Sequence, residues 1–347
     1  MSESLVHEPH GVIRNGWTAE VEDYALMCDW AAGGEAFVVG DASSTITCFD
    51  AKNGRLLWEK GKVNEGGLLS MAVHPGGEIV ASSGQNGEIV FWRINDGAWL
   101  GSKQISQNWI EHLAWSPAGT WLSAASSRTV LILDPEGAQK WQSNAHESTV
   151  SAIAWSSDEE LATACYGKVT FFDFINDKVN QSLEWKGSLI SMVLSPNGEI
   201  VACGSQDNSV HFWRRSNSRD AMMSGYQGKP RSLSFDNSGV LLATGGSDRV
   251  TVWSFDGEGP EGTAPGELEL HVKPITCLTF APRGMRLASG SKDGSVGVWL
   301  LDRNGQGDAI GAVATFEPIS MLTWRPDGTA LAAVSSQGSV HAWKVRN

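Results

Sequence analysis

The stretch HVKPITCLTFAPRGMRLASGSKDGSVGVW, residues 271–299, decides the fold. It contains three apolar runs, ITCLTF, MRLASG and SVGVW, which are separated by the turn-forming sequences APRG and KDG. Short apolar runs with β-branched and aromatic residues, bounded by Gly, Pro and Asp, are typical of strands joined by tight turns. The stretch therefore predicts a small antiparallel sheet, which needs neighbouring sheets to bury its faces.

The same unit recurs along nearly the whole chain, with three strands (a, b and c) and an outer strand d in each copy. The a–b turn returns every 39 to 45 residues, at Ala32, Pro75, Pro117, Ser157, Pro196, Asn237, Pro282 and Pro326. Repeats of this length indicate a propeller or a solenoid. After a leader of residues 1–11, we place eight repeats at approximately 24–66, 67–108, 109–148, 149–187, 188–228, 229–273, 274–317 and 318–347.

The repeat resembles a WD repeat, the building block of WD40 β-propellers, over roughly residues 12–345. His271 stands at the Gly-His position of that family and Trp299 at its Trp-Asp position. Strand c ends on Trp in five of the eight repeats and on Phe in two more, although the Asp that follows Trp in the family survives only in repeats without the Trp. The resemblance implies an all-β, closed β-propeller of WD40 type with eight four-stranded blades, or seven as the alternative. It also implies a hydrogen-bonded set of His271, Ser289, Asp293 and Trp299 within the blade.

The last repeat ends at SVHAWKVRN and therefore lacks an outer strand. A candidate strand lies near the start of the chain, within GVIRNGWTAEV at residues 11–21. The resemblance implies that the two ends of the chain meet in one blade. We therefore expect this N-terminal strand to complete the last repeat and to close the ring.

Composition fits one repeat domain of 347 residues, because each unit of a repeat array contacts only its neighbours. The chain holds 16 Trp, and burying one Trp removes about 150–250 Å² from water, so we expect most of them to pack between blades. A formal net charge of −13 argues against nucleic acid, which is bound by clustered Lys and Arg. The basic pairs Arg214-Arg215 and Arg283 with Arg286 lie near predicted turns, where we expect them to be solvated.

The five cysteines are scattered singly, without a CxxC spacing, which suits reduced thiols. The N-terminus, MSESLVHEPHG, has neither the basic start nor the apolar run of a signal peptide. No apolar segment is long enough to span a bilayer. We expect a cytoplasmic protein that does not contact membranes.

The sequence contains no recognisable catalytic constellation, and we expect neither enzymatic activity nor a cofactor or metal. His7 and His10 lie close together, but zinc requires three or four fixed ligands. Ala51, Gly54 and Trp58 match, once, the docking motif of quinoprotein propellers, and we interpret them as a turn and an outer strand. A propeller enzyme with a site at the channel mouth and an accessory protein in metal handling remain alternatives, as does a structural assembly subunit.

Surface recognition is the function that remains, because propellers present loops for binding. In a WD40 propeller the residues before strand a and those in the b–c turn gather on the top face. By alignment to His271 we expect a partner-binding surface that includes Tyr24, Gln85, Trp109, Gln206, Lys229 and Lys292. Exposed aromatic rings are common hot spots of interfaces. The chain is thus expected to be a WD40-type scaffold or adaptor for a protein or peptide, either as a monomer or as a subunit of a heteromeric complex.

Overall fold

The structure is a computed structural model that describes residues 10–257 and 259–346. All regular elements in these residues are β-strands, thirty in number. They fall into two compact units, one formed by Val21–Met192 and the other by the residues up to Glu20 together with those from Val193 onward.

The unit Val21–Met192 contains three four-stranded sheets and the first strands of a fourth sheet. The first sheet contains β2 (Ala25–Trp30), β3 (Ala36–Asp41), β4 (Ile46–Asp50) and β5 (Leu56–Lys60). The second contains β6 (Leu68–Val73), β7 (Ile79–Gly84), β8 (Glu88–Arg93) and β9 (Trp99–Gln104). The third contains β10 (Ile110–Trp115), β11 (Leu122–Ser126), β12 (Thr129–Leu133) and β13 (Gln139–Gln142). Next along the chain come β14 (Ala152–Trp155), β15 (Glu160–Asp173) and β16 (Lys178–Leu194).

The other unit begins, along the chain, with β1 (Ile13–Glu20). It continues with β17 (Ile200–Ser205), β18 (Val210–Arg214) and β19 (Arg219–Met223). The next sheet contains β20 (Ser232–Phe235), β21 (Leu241–Gly245), β22 (Arg249–Ser254) and β23 (Gly266–Glu269). It is followed by the sheet of β24 (Ile275–Phe280), β25 (Arg286–Ser291), β26 (Ser295–Leu301) and β27 (Gly307–Ala314). The last strands are β28 (Ile319–Trp324), β29 (Ala330–Ser335) and β30 (Ser339–Val345).

The eight repeats are distributed over seven hydrogen-bonded sheets. Six sheets have four strands, and strands β14 to β19 of repeats four and five form one six-stranded sheet. The sheet count therefore agrees with the alternative of seven blades, and the expectation of eight separate four-stranded sheets is corrected. The reason is continuity, because β16 runs without interruption from the outer strand of repeat four into strand a of repeat five.

Strand β15 combines strands b and c of repeat four. The ring of His146 lies 2.9 Å from Thr163 Oγ1 and its centroid lies 5.7 Å from that of Phe172. Nine residues of straight strand would separate Thr163 from Phe172 by about 30 Å. The chain therefore folds back between them, near Gly167 with φ +87°, and repeat four keeps its own b–c hairpin.

The N-terminal strand completes the last repeat, as expected. Strand β1 pairs antiparallel with β30, from Ile13 opposite Val345 to Glu20 opposite Ser339. The side chain of Ile13 is fully buried in a cluster with Leu331 and Trp343. The resulting sheet has the order β1-β30-β29-β28.

The core lies between successive sheets of a unit. Every residue of strands β3, β17 and β29 is buried, whereas the outer strand β9 is exposed at almost every position. Inner strands are covered on both faces, so their apolar residues do not alternate with polar ones. This stacking leaves the outer strands and the turns at the ends of the sheets as accessible surface.

Candidate partner-binding surface

The segment before strand a and the b–c turn meet at one end of each repeat. The backbone N–H of Ala42 donates to Tyr24 O at 2.9 Å, and that of Gln85 donates to Gly67 O at 3.3 Å. In repeat seven the N–H of Lys292 donates to Pro274 O at 3.0 Å. The two sets of residues that the sequence assigns to a binding surface therefore share one end of their sheets.

In the unit Val21–Met192 this end is continuous over repeats one to three. A Cβ atom on Gly67 would lie 3.5 Å from Ala42 O, which places the start of repeat two beside the b–c turn of repeat one. A Cβ atom on Gly87 would lie 2.9 Å from Asn108 O, which places the b–c turn of repeat two beside the start of repeat three. The structure thus brings the segments that carry Tyr24, Gln85 and Trp109 to one surface.

Trp109 and Tyr24 are the large aromatic side chains of this surface. Trp109 is 52% exposed and Tyr24 is 39% exposed, while Gln85 is half-buried. Trp109 precedes the fully buried Ile110, the first residue of β10. Its exposed ring is therefore carried by a backbone that is anchored in the core.

The other three predicted residues, Gln206, Lys229 and Lys292, belong to the other unit, and all three are exposed. Lys229 lies before strand a of repeat six, and Lys292 lies in the b–c turn of repeat seven. Gln206 lies in the b–c turn of repeat five, next to Asp207, which accepts hydrogen bonds from Ser209. Their positions match the ends of sheets to which the sequence assigns them.

The bonded set of repeat seven forms a continuous chain of hydrogen bonds. Trp299 Nε1 donates to Ser289 Oγ at 2.9 Å, and Ser289 Oγ lies 2.7 Å from His271 Nε2. His271 Nδ1 lies 2.6 Å from Ser295 Oγ, which in turn donates to Asp293 Oδ1. Ser295 therefore stands between His271 and Asp293, whose nearest ring and carboxylate atoms are 3.9 Å apart. Sequence reasoning missed Ser295, although its position two residues after Asp293 is a recognisable signal.

Burial sets the protonation of this network. It lowers the pKa of His271 to about 4, against the opposing effect of the Asp293 carboxylate. Burial also acts to raise the pKa of Asp293, but hydrogen bonds from Ser295 and from the Val272 N–H bring the pKa below its usual value. A neutral imidazole has one donor and one acceptor nitrogen. The order of donors is then Trp299, Ser289, His271 and Ser295, ending on the ionised Asp293.

Repeat six contains a variant of the network that the sequence analysis missed. Trp253 Nε1 donates to Tyr226 OH at 2.8 Å, and Tyr226 OH lies 2.8 Å from Thr244 Oγ1. Burial raises the pKa of Tyr226 to about 12, so its hydroxyl stays protonated. Tyr226 and Thr244 lie 45 residues before His271 and Ser289, a spacing visible in the sequence.

Trp58 of the docking-like motif connects two successive sheets. Its Nε1 donates to Ile94 O at 2.6 Å, and a Cβ atom on Gly97 would lie 2.7 Å from its ring. Trp141 has an equivalent position two repeats later and donates to Asp177 Oδ1 at 2.7 Å. Both rings attach an outer strand to the c–d turn of the next repeat, which is a structural contact.

The expectation that Arg214 is solvated is wrong. Its guanidinium lies 5.8 Å from the ring centroid of Phe255, and its Nη2 lies 3.0 Å from Glu261. Arg286 likewise lies over the ring of Trp324, at 5.7 Å. Cation–π contacts and an ion pair therefore hold these side chains against the protein.

The described residues contain no group of three or more His, Cys, Asp and Glu side chains that could hold a metal ion. Of the two leader histidines, His7 lies outside the described residues. No helix in residues 10–257 and 259–346 has the length and hydropathy of a membrane span.

Comparisons with known proteins agree with the fold. The profile of the family "WD domain, G-beta repeat" matches residues 179–214 and 262–299, each of which ends at or next to the Trp of a strand c. The profile named for the outer membrane protein assembly factor BamB matches residues 42–184, which include the docking-like motif. The crystal structure of the computationally designed Ika8 protein superposes with a TM-score of 0.82 at 21% identity, and the alignment covers 95% of this chain and 99% of that one.

Relatives by sequence are WD-repeat homologues. Actin-interacting protein 1 of Caenorhabditis elegans is 27% identical over 56% of this chain and 30% of its own length. THO complex subunit 3 of Arabidopsis thaliana is 25% identical over 55% of this chain and 62% of its own length. The chain spans less than two thirds of the length of these two relatives. The target of rapamycin complex subunit wat1 of Schizosaccharomyces pombe is 26% identical over 65% of this chain and 74% of its own length. The repeats, the sheets and these matches together define the class of the protein, which is a β-propeller of the WD40 type.

Proposed function

We propose that the protein is a non-enzymatic scaffold or adaptor that binds a protein or peptide partner through the end of the sheets that carries Tyr24 and Trp109. Relatives named as subunits of the THO and target of rapamycin complexes support a role in a protein assembly. We further propose a cytoplasmic location, which is supported by five free cysteines, four of them buried.

The exposure of Trp109 carries this proposal. An indole that is 52% exposed contributes little to the core, yet its neighbours hold its backbone. The N–H of Asn108 donates to Ser106 Oγ at 2.9 Å, and Ser83 Oγ donates to Ile110 O at 3.1 Å. A ring on a rigid frame loses little entropy on binding, which favours its use as an anchor.

The test compares Trp109→Ala with Trp99→Ala in quantitative affinity capture from the native cell. Trp99 is the matched control, because it is 62% exposed but lies on the outer strand β9. We expect Trp109→Ala to lower recovery of the co-purifying partner by about thirtyfold, since interface aromatics cost about 2 kcal/mol or more on truncation. Both variants should melt near the wild-type temperature. Loss of capture with Trp99→Ala but not with Trp109→Ala would refute the proposal and place the partner on the outer strands.

A further inference from the structure

Four exposed cations at one end of repeats six and seven have no ion pair within the described residues. They are Lys229, Arg231, Lys273 and Lys292. Arg249 of repeat six is paired by contrast, with Glu267 at 2.8 Å and with Glu269 at 3.0 Å. Unpaired surface cations repel each other, and a group of four is unusual in a chain of formal net charge −13.

The backbone brings the four cations to one surface. The N–H of Ile275 donates to Ser247 O at 2.8 Å, which joins the start of repeat seven to the b–c turn of repeat six. A Cβ atom on Gly246 would lie 3.3 Å from Pro230 N, so this turn also borders the segment of Lys229 and Arg231. The cations therefore lie on adjoining turns of two successive repeats.

Two exposed apolar side chains flank the turn that follows Lys292. The N–H of Val272 donates to Asp293 Oδ2 at 2.7 Å, and a Cβ atom on Gly294 would lie 2.9 Å from Phe316 N. Val272 is 71% exposed and Phe316 is 60% exposed. A ridge of cations thus adjoins an apolar patch.

The backbone of Phe316 is an independent sign of a functional surface. Its φ is +66°, in the left-handed region that bulky residues rarely adopt. Residues held in sparsely populated regions cluster at functional sites. The strained backbone thus carries an exposed aromatic ring at this surface.

Three carboxylates, those of Asp248, Asp293 and Glu317, lie in the same turns as the four cations. Asp293 is almost fully buried and is engaged with Ser295 and Val272, and Glu317 accepts a hydrogen bond from Ser335. Asp248 is exposed in the same group of turns. Hydrogen bonds from neutral donors leave the charges of Asp293 and Glu317 in place, and the four cations outnumber these two carboxylates and Asp248 by one.

We propose that this cationic surface, formed by Lys229, Arg231, Val272, Lys273, Lys292 and Phe316, binds an extended acidic segment of a partner protein. Asp or Glu side chains of the segment contact the lysines, and one apolar side chain packs against Val272 and Phe316. The inference rests on the proposed function, because Lys229 and Lys292 belong to the predicted partner-binding surface and the inference specifies the chemistry of the partner that they contact. The exposed apolar side chains of Val272 and Phe316 beside the cations favour a segment that combines acidic and apolar side chains.

The probe is a short fluorescein-labelled peptide of Glu and Asp with one central Leu, measured by fluorescence anisotropy. Comparison peptides replace the Leu by Ser, or every acidic residue by Lys, and a single-stranded oligothymidine serves as a different polyanion. The test variant is Lys273→Gln with Lys292→Gln. The control is Lys52→Gln with Lys103→Gln, which removes the same charge from exposed lysines of the other unit. Melting curves verify folding, and the single Lys→Gln variants replace the double variant if it does not fold.

We expect the test variant to weaken binding of the acidic peptide by about tenfold or more, while the control variant changes it by less than about twofold. Replacing Phe316 by Asn, which tolerates the left-handed conformation, should weaken the Leu peptide but not the Ser peptide. Added salt should weaken binding. The inference is refuted by absence of binding at about 1 mM peptide, by equal weakening in test and control variants, or by equal or tighter binding of oligothymidine.

The outcome is separable from that of the proposed function. Trp109→Ala should bind the acidic peptide as the wild type does. If the peptide does not bind while Trp109→Ala still lowers partner capture, the cationic surface is refuted and the proposed function stands. If the peptide binds through the lysines while Trp109→Ala has no effect on capture, only the Tyr24 and Trp109 surface is refuted.

Discussion

Replacing Asp293 by Ala should destabilise the protein more than its position in a surface turn suggests. The carboxylate is only 5% exposed and ends the hydrogen-bonded chain that begins at Trp299. Its Oδ1 accepts the Ser295 N–H at 2.7 Å and the Ser295 hydroxyl, and its Oδ2 accepts the Val272 N–H at 2.7 Å. Oδ2 also accepts the Lys273 N–H at 3.3 Å, so the variant removes the acceptor of four hydrogen bonds at once.

The magnitude follows from these contacts. Hydrogen bonds to a charged group contribute about 1.5–3 kcal/mol each, but water can replace the carboxylate at Val272, which is 71% exposed. Ser295 is buried, so its hydroxyl and N–H lose a partner without full compensation. We expect a loss of about 2–4 kcal/mol in the free energy of unfolding and a fall of about 4 °C or more in melting temperature.

The assay is thermal and urea unfolding followed by Trp fluorescence. Asp308→Ala is the matched control, because Asp308 is an exposed carboxylate on β27 of the same sheet. It should change the melting temperature by less than about 1 °C. Equal melting shifts for the two variants would refute the view that the network stabilises its blade.

Deleting residues 1–20 removes β1 and should lower the melting temperature by about 5 °C or more, because the last sheet loses its outer strand. Deleting residues 1–9 retains β1 and is the control. Similar melting temperatures for the two truncations would show that β1 does not stabilise the sheet. Acidification should destabilise the wild type, because the unfolded state binds a proton on His271 below pH 6.5 while the folded state resists it until about pH 4. His271→Gln should show a shallower loss of stability between these values, and an unchanged slope would refute the assignment. Asn64 occupies, in repeat two, the position that His271 has in repeat seven, and Trp92 Nε1 of repeat two has no hydrogen-bond partner within the described residues. Asn64→His should supply a partner network for this indole and raise the melting temperature by about 2 °C. A lower melting temperature would show that the larger ring overpacks the site.

Features encoded within one repeat could be predicted from the sequence. The a–b turns, the strands and the ends of strand c follow from spacing, because hairpin contacts join residues that are close along the chain. The set of His271, Ser289, Asp293 and Trp299 spans only one repeat, so alignment was enough to nominate it. The missing outer strand of the last repeat likewise followed from counting strands, and β1 fills that place.

Features that depend on neighbouring repeats could not be predicted. The count of seven sheets depends on β16 running without interruption from repeat four into repeat five, which no single residue signals. Arg214 lies near a predicted turn in the sequence, yet its partners Phe255 and Glu261 belong to the next repeat.

The sequence by itself determined the repeat, its strands, the β-propeller class and the ends of the sheets to which the proposed partner-binding residues belong. Only the tertiary structure decided which of those residues are free to bind. Exposure and ion pairing depend on distances between segments about 40 residues apart, and a charge such as Lys292 becomes available only if no carboxylate of another turn reaches it. The pattern of residues within one repeat therefore determines the strands of a blade, while packing between blades determines which side chains are exposed on its surface.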